Sequence, residues 1–157
     1  LNIFILSRYP VIAAQAQCDK HVVKMVLESA QLLCSPYDPG TAPYRRTHYN
    51  HRCSVWARTS QANYAWLLRH ADALSKEYTL RYGKRHKSTD VILWCQDNHH
   101  RIEFQQEGMT PFAQAMPEEY RREDAVEAYR AYYLGQKYTF AKWEKGREAP
   151  DWWQNGR

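Results

Sequence analysis

The sequence predicts a mainly α protein, a single-domain irregular helical bundle over residues 1–157 with a short extended arm at its N-terminal end. Three observations predict it. Apolar residues recur at a spacing near 3.6 in several segments. Those segments are bounded by residues that start and stop helices, among them Pro10, Asp19, Ser54, Gly83 and Asp124. And 157 residues suit one domain of roughly 100–200, with no internal repeat, low-complexity stretch or boundary between domains.

Asn2 to Leu6 is a short apolar run that reads as a small strand or an extended arm. From Pro10, tolerated in a first helical turn, a helical pattern carries Val11, Ile12 and Ala14, then Cys18, Val22, Val26, Ala30 and Leu33, to about Cys34. A break is expected near Cys18-Asp19, with Asp19 as the cap of a second helix. Residues 35–52 form a loop with Pro36, Pro39-Gly40 and Pro43, long enough to suggest a task of its own. Ser54 is the expected N-cap of a long helix ending at Gly83. Another helix runs from Asp90 to about Asn98. Residues 108–117, GMTPFAQAMP, form a second loop. Asp124 and Glu127 suggest a capping box for a helix carrying Tyr129, Tyr132 and Tyr133, ended by Gly135. The tail from Phe140 is rich in Trp and charge. Four or five helices are expected in all.

Composition narrows the class. Lys and Arg exceed Asp and Glu by five, and aromatic residues make up 14% of the chain. A basic balance with many flat side chains suits nucleic acid, although an ordinary bulky core uses the same residues. Cys18, Cys34, Cys53 and Cys95 are widely spaced without a C-x-x-C pair, which reads as reduced thiols. The opening LNIFILSRYP is too soon interrupted for a signal peptide. No run approaches the roughly 18 apolar residues of a membrane span. A soluble, cytoplasmic protein is expected, with no membrane partner. A Gly-rich phosphate loop, G-x-S-x-G, H-E-x-x-H and H-x-E with P-C-x-x-C are all missing, which argues against the enzyme classes they mark.

The stretch QCDKHVVKMVLE carries the first candidate site. At about 100° per residue, Gln17, Lys24 and Glu28 fall in an arc of about 60° on one side of His21. The ordinary reading of such a stripe is a solvated face, with Lys24 and Glu28 as an exposed i, i+4 pair. The sharper reading is catalytic. The apolar arc is wide, so the helix sits centrally, and His, Lys and Glu are the types tuned for acid–base work.

Three further clusters stand out. His48 and His51, in HYNHRC, are capable of ligating a metal or contacting substrate, but with Cys53, Cys95 and His99-His100 they match no standard zinc spacing. The run RYGKRHK offers Arg81, Lys84 and His86 to phosphate and Tyr82 as a stacking face, though a helix end attracts such cations anyway. TPFAQAMP is uncharged between prolines, so it is packed or used; packing is its ordinary reading, and Gln114 is its candidate for reading a base or sugar.

These residues together resemble small phage and bacterial proteins related to the pyrimidine dimer DNA glycosylases of the phage endonuclease V type. The likeness to the small proteins runs through DKHVVKM…E, N-H-x-C-x-x-W, RYGK-x-HK and TPFAQAMP, over nearly the whole chain. The likeness to endonuclease V is confined mainly to the first half. The resemblance implies Glu28 as acid/base at the sugar of a target nucleotide, His21 as its neighbour and Lys24 in place of a phosphate contact. It implies a DNA or nucleotide substrate, in the cytoplasm of a bacterial host if the protein is phage-encoded; no cofactor is expected, and no metal, since the His and Cys spacing matches no standard zinc site. Those glycosylases use the amine of an N-terminal threonine as nucleophile, whereas this sequence opens Leu1-Asn2. A water-using glycosylase, or a relative acting on nucleotides or modified bases, accommodates that departure. The alternatives are a non-enzymatic nucleic-acid-binding protein and a His/Cys metal-dependent nuclease.

Overall fold

The computed structural model describes residues 1–155. Their α-helices are α1 (Pro10–Ala16), α2 (Asp19–Cys34), α3 (Arg52–Thr59), α4 (Gln61–Tyr82), α5 (Thr89–Asn98), α6 (Ala125–Tyr132) and α7 (Asp151–Asn155). Among the described residues there is no sheet, only an isolated bridge between Ser60 and Gln106. The chain is an all-α, irregular bundle, as its periodicity predicts. Helix α4 is its axle, packed against α1, α2, α3 and α5. No helix among the described residues is long and apolar enough to cross a membrane.

The N-terminal run is an arm, and it is threaded through the core. Ile3, Ile5 and Leu6 are fully buried. Gln17 holds it, since its Nε2 donates to Ile3 O at 3.1 Å and lies 3.3 Å from His70 Nε2. His70 Nδ1 in turn donates to Pro10 O at 3.0 Å. Gln17 stands in extended backbone after α1, so it does not belong to the polar stripe of α2.

The helices are more numerous and shorter than the sequence suggests. The predicted long helix breaks at Ser60, which is extended (φ −142°, ψ 155°) and whose hydroxyl accepts from Asn63 N–H at 3.0 Å. The next N–H groups, of Gln61 and Ala62, donate to Gln106 O and Glu107 O at 2.9 Å each. The free donors of the α4 N-terminus are thus satisfied from a distant loop, a long-range fact that local propensity does not contain. Ser54 is not the cap of α3. His51 is, its Nδ1 accepting from Cys53 N–H at 3.0 Å. Cys18, not Asp19, precedes α2 as cap residue.

Gly83 ends α4 as expected, with φ 72° and its N–H on Thr79 O. Asp124 caps α6 through Val126 N–H at 2.8 Å. Gly135 ends nothing. The helix runs on as a wide turn over Tyr133–Lys137, and a Cβ at Gly135 would stand 2.5 Å from the Tyr120 hydroxyl. Close approach is what glycine supplies there. The tail crosses the α1–α2 elbow: Lys142 O accepts from Asp19 N–H at 2.8 Å and Trp143 Nε1 donates to Ala16 O at 3.1 Å.

Candidate functional site

The stripe on α2 is not a solvated face. His21 is 4% exposed and Glu28 8%. The Lys24 side chain is the exposed member, at 65%, while that of Glu28 keeps 11%.

Glu28 is held from the arm. Asn2 N–H donates to Oε1 at 3.0 Å, and the Leu1 nitrogen lies 3.7 Å from the same oxygen. Oε2 faces Lys24 Nζ at 3.6 Å. Asn2 is itself fixed, its Nδ2 donating to Ala115 O at 2.7 Å. Its Oδ1 accepts from Ile3 N–H at 2.8 Å and Phe4 N–H at 3.3 Å. That local turn accompanies a φ of 59° at Phe4, a region that bulky L-residues rarely enter. The ring of Phe4 then stacks on His21, with centroids 4.3 Å apart. The strain sits where the arm meets Glu28, a common place for strain in sites.

A cavity of about 400 Å³ opens over this carboxylate. Among the described residues Glu28 is the one acidic member of its lining, against Lys24, Arg52, Arg121 and Lys137. Phe4 and Tyr132 supply flat walls, and Ala115 and Met116 close it from the TPFAQAMP loop. Arg52 donates to Gln114 O at 2.9 Å and Arg121 pairs with Glu118 at 2.9 Å. The Arg121 Nε is buried without a partner. Lys137 Nζ stands 4.4 Å over the Tyr132 ring. A site of this make suits an anion beside an aromatic ring, with one carboxylate between them.

Sequence reasoning reached part of this lining. Lys24, Glu28 and His51 are in it; His21 is not. His21 lies behind Phe4, with Nδ1 2.5 Å from the Tyr133 hydroxyl. Burial, then the charges of Lys137, Lys24 and Lys20, lower its pKa to about 3. It is neutral at pH 7 and stands outside the cavity lining, stacked on Phe4, where it supports that ring. His51 stands at the rim, its pKa lowered by burial and by positive neighbours.

The RYGKRHK run contributes nothing to this lining. Arg81 is buried, with Nε on Glu77 at 2.9 Å and terminal nitrogens on Asp19, Gln15 O and Gln17 O. Four of its five N–H groups are so occupied and its side chain is fully buried, so the structure places Arg81 away from the cavity and turned onto protein groups. Tyr82 gives its hydroxyl to Asp19 O at 2.8 Å, and its ring lies against Tyr78 and under Lys145. His86 donates from Nε2 to Val23 O at 3.0 Å and accepts Ser88 N–H on Nδ1 at 3.0 Å, so both its nitrogens are used. Lys84 is exposed on the turn. Gln114 spends its amide on Arg122, donating to its O at 2.6 Å and accepting its N–H at 3.1 Å. His48 is exposed in the loop with φ 49° and also lies outside the lining.

Among the described residues no three His, Cys, Asp or Glu side chains converge as a metal site requires. Cys53 and Cys95 are buried, and Cys95 Sγ lies 3.8 Å from Cys34 Sγ. No family model, curated protein or solved structure matches the chain, so the resemblance to the glycosylases rests on its residues alone.

The residues that reasoning missed are Asn2, Phe4, Arg52, Arg121, Tyr132 and Lys137. The run NIFIL signalled a buried arm. Nothing in the local pattern signalled that Arg121 and Lys137 meet α2 across more than ninety residues.

Proposed function

We propose that the protein processes DNA or nucleotides and breaks or exchanges a base–sugar glycosidic bond, with Glu28 at the chemistry. The observation that carries this reading is a single buried carboxylate on the floor of a cavity whose other charged side chains are cations. Phosphate suits the Lys24, Arg52, Arg121 and Lys137 rim. A base suits Phe4 and Tyr132. Between them, the sugar C1′ falls to the carboxylate.

Breaking the C1′–N bond sends its electron pair to the base and builds positive charge on the sugar, which a carboxylate stabilises. Glu28 Oε2 is the freer oxygen and takes a proton from water as the water oxygen bonds to C1′. The base leaves with a proton from solvent. His21, neutral and buried, keeps Phe4 in place.

The test is base release. Wild type and Glu28→Gln are incubated with unmodified, ultraviolet-irradiated and modified-base DNA and with nucleosides, and freed base and abasic sugar are measured by mass spectrometry. Release by wild type, reduced about 10²–10⁴-fold in the variant, is expected. Equal release by both removes Glu28 from the chemistry. DNA binding with no release from any substrate leaves the non-enzymatic binding protein.

A further inference from the structure

The Glu28 cavity does not stand alone. Arg52 lines it and also lines a second cavity of about 580 Å³ along α3. Val55 and Thr59 line that cavity and also a third, of about 700 Å³, between the 36–49 loop and the segment after α5. The three cavities therefore follow one another along α3, each sharing a side chain with the next. Arg52, Val55 and Thr59 are spaced i, i+3, i+7, which places them on one face of α3.

That face has an unusual make. Val55 is 40% exposed at its middle, an apolar contact left in water. Cations stand at both ends, Arg52 at one and Arg58 with Arg101 at the other. Both far arginines rest on neutral partners. Arg58 donates to Tyr49 O at 2.5 Å and lies 3.7 Å over the Tyr49 ring, and Arg101 donates to Asn98 Oδ1 at 3.1 Å. Their charge is therefore free to meet an anion. Asp38 and Glu103 share the third cavity. Carboxylates repel phosphate but accept from the amino groups of bases, so a whole nucleotide uses both signs there.

We infer that the track from Glu28 across α3 to Arg58 and Arg101 is the path of a single strand of nucleic acid, and that the substrate is a polymer and not a free nucleotide. Arg52 and Arg58 are six residues apart, about 9 Å along a helix. At roughly 3.4 Å per phosphate of a stacked strand, that takes two to three nucleotides. One base enters the Glu28 cavity, the next lies over Val55, and a further one reaches Asp38 and Glu103. The first position rests on the Glu28 reading; the rest of the path does not.

The test is binding, with chemistry switched off by Glu28→Gln. Fluorescence anisotropy follows labelled single-stranded DNA of three, six and twelve nucleotides, a twelve-base-pair duplex, and competition by a mononucleotide. Affinity is expected to rise more than tenfold from mononucleotide to hexamer and then level. In the same background, Val55→Glu and Arg101→Ala weaken the hexamer at least fivefold and leave the mononucleotide unchanged. Arg101→Ala also lowers the salt slope by about 0.7. Lys76→Glu, a charge reversal at an exposed side chain of α4, serves as control, and circular dichroism checks that each variant is folded. Affinity independent of length, tighter binding of the duplex, or no response to Val55→Glu and Arg101→Ala would each overturn the path. Base release can fail while this length dependence holds, and the reverse, so the two readings fall separately.

Discussion

Two regions bury charge against α2, one at its N-terminal end and one further along the helix, and they end differently. Around Arg81 every charge is closed. Glu77 takes Arg81 Nε at 2.9 Å and two of the three Arg147 guanidinium nitrogens, at 2.8 and 3.0 Å, while Asp19 takes Arg81 at 3.2 Å and Glu144 N–H at 2.8 Å. Around Glu28 one oxygen is anchored and the other faces a cavity, with only a solvent-borne Lys24 at 3.6 Å. Both regions hold residues that look functional in sequence. Saturation separates them. A buried ion whose partners are all protein groups braces the fold, whereas one turned toward empty space is available to a ligand.

The largest effect should come from opening the closed region. Arg81→Met leaves Asp19 without its cation and Glu77 with Arg147 alone. Breaking a buried pair on one side costs about 3–5 kcal/mol. The shift in the urea midpoint measures it. Glu28→Gln should cost less than about 1 kcal/mol, because an amide oxygen still accepts Asn2 N–H and the Lys24 pair is largely wet. If Glu28→Gln destabilises as much as Arg81→Met, Glu28 is a brace too and the distinction collapses.

Acid should act next. Burial lowers His21 to about 3 and His70 to about 4, against 6.5 unfolded. Below pH 6.5 the unfolded chain therefore binds protons that the native state refuses. Stability from these two groups is complete above 6.5 and declines as pH falls toward 4. The loss is on the order of 2 kcal/mol per histidine between pH 7 and 5. Denaturation midpoints across that range should fall with acid. His70→Asn should flatten the slope by about half. A flat profile in the parent would mean that the histidines are not held neutral.

How far the sequence shows this follows from which interactions are local. The α2 stripe was legible because a helix sets its own angles, and Lys24 and Glu28 sit where rotation puts them. Gly83 and Asp124 were legible as caps for the same reason. The RYGKRHK run misled because a basic cluster looks alike whether it faces water or, like Arg81, folds back onto Asp19 and Glu77. His21 misled in the other direction. Its place on the stripe was correct, but the arm carries Phe4 over it, and the arm's path is not written in α2. Arg121 and Lys137 are brought to Glu28 by packing alone.

The smallest test concerns two serines and a boundary. Local pattern favours Ser54 as the helix cap, yet its hydroxyl is buried in α3 without a hydrogen-bond partner. Ser60, which carries no such signal inside an apparently continuous helix, accepts Asn63 N–H at 3.0 Å. Ser60→Ala should cost about 1 kcal/mol, the usual loss for a cap. Ser54→Ala removes a buried hydroxyl that bonds nothing, so it should be neutral or slightly stabilising. Ser60 also sits next to the N–H groups that Gln106 and Glu107 satisfy, so its loss loosens the joint between α3 and α4. Thermal midpoints of the two variants decide the matter by their order. Ser54→Ala falling below Ser60→Ala would mean that the Ser54 hydroxyl carries the start of the helix after all and that the Ser60 cap adds little to the joint.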